Sequence, residues 1–104
     1  MSNYADRARE KAEQGKVRLS HHVQKERLEE NISTDDIIEA LRSGQELEPY
    51  PDDPRGPSAL ITGRDAQGRW IHVVCGNFGQ EYLLMIAVYL PQLPKWIDPF
   101  TRGK

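Results

Sequence analysis

A chain of 104 residues with 38% hydrophobic and 29% charged side chains suits one domain, because a second core would have too little apolar surface to bury. Fourteen lysines and arginines against sixteen aspartates and glutamates leave a formal net charge of −2, which excludes a global field attracting phosphate backbones and confines any RNA contact to a local patch. The single Cys75 excludes an internal disulfide, and neither a signal-peptide pattern nor a long apolar run occurs, so the expected location is cytoplasmic and away from the membrane.

Tyr4, Ala5, Ala8 and Ala12 recur at helical spacing over Asn3 to Gln14, and Gly15 follows as a stop signal. "KVRLS" alternates Val17 and Leu19 with polar residues and predicts a short strand or extended connector. From His21 to Asn31 only Val23 and Leu28 are apolar, so propensity more than amphipathicity makes this segment helical, with Ser20 placed to cap it. "STDDIIEALRSG" carries agreeing signals: Ser33 as N-cap, Asp35 and Asp36 in the first turn, Ile37, Ile38 and Leu41 on one face, and Gly44 beyond the end.

After Gly44 the period shortens. "ELEPY" predicts an edge strand, because Pro49 lacks the donor that a central ladder needs, and "PDDPRGP" follows as a restricted loop. "SALITGR", "RWIHVVCGNF" and "YLLMIAVYL" predict three strands joined by short turns, an antiparallel meander. The tail, punctuated by Pro91, Pro94 and Pro99, is expected to be irregular and to pack Trp96 and Ile97 back on the domain. Helices first and strands after predict an α+β domain, two or three N-terminal helices on one face of an antiparallel sheet of about four strands.

Alternation along the third strand sets Ile71, Val73 and Cys75 on a core face, where an inert buried thiol is expected, and Trp70, His72 and Val74 on the other. His72 then comes within reach of Thr62, Arg64 and Tyr89 if the register allows; its ring nitrogens are either satisfied locally or functional. His22 and Glu26, four apart, share a helical face where the carboxylate can orient the imidazole, whereas His21 points about 100° away. A third and fourth metal ligand are not evident beside that pair, so no metal and no cofactor is expected. Arg27, Arg55, Arg64 and Arg69 are candidate anion contacts if the fold gathers them, and otherwise surface partners of Asp52, Asp53 or Asp65. No phosphate-binding glycine loop, zinc spacing or Ser-His-Asp signature is present.

"SHHV...R...NIS", "IIEALRSGQELEPYPDDPRGPSALITGRDAQGRWIHVVCG" and "MIAVYLPQLPKW", taken together, resemble the bacterial and archaeal domain of unknown function 4258 family. The resemblance covers a family-like core over 16–96 of the single domain expected over 1–104, with the N-terminal helix over 1–15 before it and a tail over 97–104 after it. It also implies a RelE- or barnase-like fold and a toxin of the ribonuclease type, encoded beside an antitoxin-like zinc-finger partner. A metal-independent endoribonuclease would use His22 and His72 as acid and base on an RNA substrate, with Arg27, Arg55, Arg64, Tyr50 and Tyr89 as substrate contacts. Tyr50, Asp52, Asp53, Gly56, Pro57, Tyr89 and Trp96 match the family pattern as well. One departure stands out: the family usually carries basic residues four and eight positions after the helix histidine, where this chain has Glu26 and Glu30, and Arg27 is displaced by one, about 100° around the helix. The alternatives are a non-catalytic module that docks a partner protein through the edge strand or the face around Trp70 and Tyr89, and a domain whose motifs only build the fold.

Overall fold

The computed structural model describes residues 3–103. Helix α1 (Tyr4–Glu13) buries Tyr4, Ala8 and Ala12, one residue per turn, and ends before Gly15, which adopts φ +70°. Strand β1 (Val17–Leu19) leads into helix α2 (His21–Glu29), capped by the Ser20 hydroxyl, which accepts the Val23 amide at 3.1 Å. Val23 alone is buried on α2, as its thin apolar pattern predicts. Helix α3 (Thr34–Arg42) opens on a complete capping box between Ser33 and Asp36 and buries Ile37, Ala40 and Leu41.

Five strands form the main sheet in the order β1-β5-β4-β3-β2, with β2 Gln45–Tyr50, β3 Ser58–Arg64, β4 Trp70–Gly76 and β5 Leu83–Tyr89. The meander from β2 to β5 is antiparallel, and β2 lies at the edge, where Pro49 is tolerated. The α+β class and the helix-on-sheet arrangement are as expected, but the sheet has a fifth strand: β1 pairs parallel to β5, Val17 opposite Leu83. Only the crossover through α2, α3 and three strands brings these segments together, so hydropathy alternation alone does not reveal the pairing.

The helices cover one face. Ala59, Ile61, Ile71, Val73, Cys75, Leu83, Met85 and Val88 lie there with the apolar residues of all three helices, and burial of each large aliphatic side chain contributes about 1.5–3 kcal/mol. Cys75 is fully buried, and burial pushes its thiol up. Helix α3 runs so close to β3 that a Cβ on Gly63 would lie 1.9 Å from the Ala40 carbonyl oxygen. The opposite face carries Thr62, His72 and Tyr89 directly across from one another on β3, β4 and β5.

The tail is more regular than its prolines suggest. Strands β6 (Trp96–Asp98) and β7 (Thr101–Arg102) form a small antiparallel pair, because Pro94 and Pro99 flank the paired positions and leave their donors intact. Trp96 packs back and is buried, whereas Ile97 points outward and is 59% exposed.

Candidate functional site

His22 stands in the first turn of α2, set there by the Ser20 cap. Its Nε2 lies 3.5 Å from one oxygen of Glu26, whose other oxygen accepts the Val88 amide of β5 at 2.8 Å. Strand β1 pairs with β5 only as far as Met85, so Glu26 occupies a backbone donor that the sheet edge leaves open. Across from His22, the loop between β2 and β3 is organised around Asp53. Its carboxylate accepts the Arg55 amide at 3.0 Å, the Arg55 guanidinium at 3.3 and 3.2 Å, and the Ser58 hydroxyl at 2.9 Å. These donors, Arg55 above all, hold the Asp53 carboxyl down to about 2, so it is ionised at neutral pH. Gly56, at φ +107°, turns the chain immediately afterwards. His22, Asp53, Arg55 and Asn77 share an open cleft of about 380 Å³, which brings an imidazole and a forked cationic donor together from distant parts of the sequence.

His72 is organised differently. It is fully buried on the outer face, where its Nε2 donates to the Pro99 carbonyl at 2.8 Å and Nδ1 lies 3.2 Å from the Tyr89 hydroxyl. A carbonyl only accepts, so its partner nitrogen carries the proton and Nδ1 takes the Tyr89 hydrogen. The Trp96 ring meets the imidazole edge-on at 4.4 Å. Over Trp96 lies Arg102, 4.7 Å from the ring centre, and its guanidinium forks onto Glu48 at 2.6 and 2.7 Å. The Tyr50 hydroxyl donates to the same Glu48 carboxylate. Burial pushes His72 below its ordinary value, against the opposing pull of the Pro99 bond and of Glu48. Burial and then the Glu48 contact push Tyr50 up to about 12, while the Arg102 fork holds Glu48 low. Burial also raises Tyr89.

A larger cavity of about 980 Å³ separates α2 from the tail, with Glu26 and Glu30 on one side, Lys95, Trp96 and Arg102 on the other, and Tyr89 between. His22 lines the smaller cleft and His72 lines neither opening, so these two openings do not bring the imidazoles together. Arg27 bonds Gln24 of its own helix at 3.1 Å and the Ile32 carbonyl just beyond that helix at 3.5 Å, and lines neither opening. Arg64 lies over Trp70 at 5.1 Å and also stays outside both. Arg69 bridges Asp65 at 2.7 Å and Asp36 at 3.1 Å, tying the β3–β4 turn to α3.

Glu48 and Arg102 are the members of the His72 cluster that sequence reasoning did not select. Arg102 follows Trp96 by six residues in a tail expected to be irregular, and only the β6–β7 pairing places it over that ring. Among the described residues, no group of three or more His, Cys, Asp or Glu is disposed to hold a metal ion. No helix among them is long and apolar enough to cross a membrane.

Among known families, the model described as "Domain of unknown function (DUF4258)" matches residues 19–90, more than half of the chain. That span takes in α2, α3 and the meander and leaves out α1 and the β6–β7 pair. No curated protein matches the chain, and no solved structure does.

Proposed function

The chain belongs to the DUF4258 family, and from that premise we propose a toxin-like, metal-independent endoribonuclease, the toxin of a toxin–antitoxin pair, acting at the cleft that His22 and Arg55 both line. The shared cleft of these two residues is the observation that carries the reading. His22 takes the proton of a ribose 2′-hydroxyl, and the resulting oxygen attacks the adjacent phosphorus. The bond from phosphorus to the 5′-oxygen breaks, that oxygen gains a proton from solvent, and a 2′,3′-cyclic phosphate remains. Arg55 donates to the non-bridging oxygens as charge builds on them. Glu26, 3.5 Å from Nε2 on the side of the larger cavity, can hold the imidazole in one tautomer.

Cleavage of labelled RNA by the purified protein in the presence of a chelator tests this. Wild type is expected to cleave, with His22→Ala slower by about 10²-fold or more and Arg55→Ala slower by about tenfold or more. Equal cleavage by wild type and His22→Ala removes the assignment.

A second reading is a non-catalytic module for a partner protein, such as the antitoxin-like zinc-finger protein. The exposure of Leu93, Ile97 and Phe100 on the tail, at 73%, 59% and 42%, favours it. It predicts a stable complex with the neighbouring-gene product and no turnover.

A further inference from the structure

The family span ends at Leu90, yet the residues that close off His72 come from beyond it. The Trp96 ring, the Pro99 carbonyl and Arg102, which forks back onto Glu48 of β2, belong to the segment that follows, and its Phe100 meets Trp70 edge-on at 4.9 Å. Its hydrogen bonds run mostly within the segment. The Trp96 amide bonds the Gln92 carbonyl at 3.0 Å, the Gly103 amide bonds Lys95 at 2.7 Å, and Gly103 packs so tightly that a Cβ would lie 1.8 Å from the Pro94 oxygen. Its hold on the sheet combines the buried Trp96 ring and the Phe100–Trp70 contact with a partly solvated fork, in which Arg102 is 56% and Glu48 27% exposed at the side chain.

Beneath it lies a face unlike a core. His72, Tyr89 and Thr62 adjoin one another there, and the buried Thr62 hydroxyl has no hydrogen-bond partner. Burying such groups is costly unless something pairs them.

We propose that residues 91–103 form a strap closing a second RNA-contact surface centred on His72 and Tyr89, which extends the proposed ribonuclease cleft across the outer face. The Pro99 carbonyl holds His72 Nε2–H as a phosphate oxygen would, and Glu48 holds the Arg102 guanidinium that a phosphate would otherwise take. Because Trp96 and Arg102 also wall the cavity over Tyr89, lifting the strap joins that cavity to His72. This rests on the RNA reading above, but its test needs no cleavage.

The test uses the full chain, with Glu48→Gln to weaken the fork and Phe100→Ala as a second variant that leaves the fork intact. Diethyl pyrocarbonate labels accessible imidazoles, and mass spectrometry locates the label. In wild type, His21 and His22 are expected to react and His72 to stay protected. In either variant His72 reacts about tenfold faster, and an uncleavable 2′-O-methyl oligoribonucleotide binds tighter by a similar factor, because the competent fraction sets the apparent affinity. His72 reacting in wild type as fast as His22, or remaining protected in both folded variants, overturns the strap. Faster His72 labelling with unchanged oligonucleotide binding overturns the RNA surface. A protein that binds the oligonucleotide but cleaves no RNA refutes the nuclease reading and leaves the strap standing.

Discussion

One oxygen of Glu26 accepts the Val88 amide at 2.8 Å while the other lies 3.5 Å from His22 Nε2, so a single carboxylate links the imidazole to the edge of the sheet. At position 26 this chain therefore has an acceptor that the β5 backbone uses. Glu26→Ala leaves that amide without its partner and is expected to destabilise the fold by about 1–3 kcal/mol. Glu26→Gln keeps an oxygen there and should cost less, whereas Glu26→Arg, which has no acceptor, should behave like alanine or worse. Urea midpoints for the three variants check the order.

Gly63 marks the closest approach of helix and sheet, with no room for a Cβ beside the Ala40 carbonyl. Because that obstacle is backbone, Gly63→Ala must push α3 away from β3, with an expected loss of about 1–3 kcal/mol or more. Gly79, with nothing within 4 Å of its built Cβ, is the control, and Gly79→Ala is expected to stay within about 0.5 kcal/mol of wild type. Thermal or urea unfolding separates the two.

Much of this architecture is legible because its signals are local. The Ser33 box, the Ile37 and Leu41 face of α3 and the alternation of Ile71, Val73 and Cys75 each depend on residues within one element. What escapes reading is set by distant partners. The parallel β1–β5 pairing joins segments more than sixty residues apart, and the burial of His72 depends on a tail whose prolines suggest irregular chain. His22 and Arg55 were individually visible as candidates, but their common cleft depends on how α2 lies against the β2–β3 loop. Arg27 and Arg64 had the same chemical case as Arg55, and neither reaches that cleft.

Thr62 carries a buried hydroxyl with no hydrogen-bond partner beside a histidine whose nitrogens are both engaged. Replacing it with a methyl of similar size removes an unpaired polar atom and keeps the volume. Thr62→Val is therefore expected to stabilise the protein by about 1 kcal/mol, a rise of several degrees in Tm for a domain of this size. Calorimetry reads this directly, and an unchanged or lower Tm shows that the hydroxyl is paired in solution.

The His72 cluster also sets a direction for stability against pH. Burial holds the folded-state value of His72 below its ordinary 6.5, so as pH falls the unfolded chain takes up this proton before the folded one does. The contribution is fully present above about 6.5 and is lost progressively as pH falls toward the lower folded value. Glu48, held low by the Arg102 fork, adds a second loss further into acid, below its ordinary 4.5, as pH falls through its folded value. Tyr89, raised by burial, and Arg102 keep their charge states across both windows, so they do not produce this slope. The wild-type urea midpoint should fall between about pH 7.5 and pH 5.5, and His72→Gln, which has no proton to gain, should flatten that segment while keeping the loss at lower pH. Parallel slopes for the two proteins would mean that His72 titrates alike folded and unfolded, and that the tail does not keep it dry.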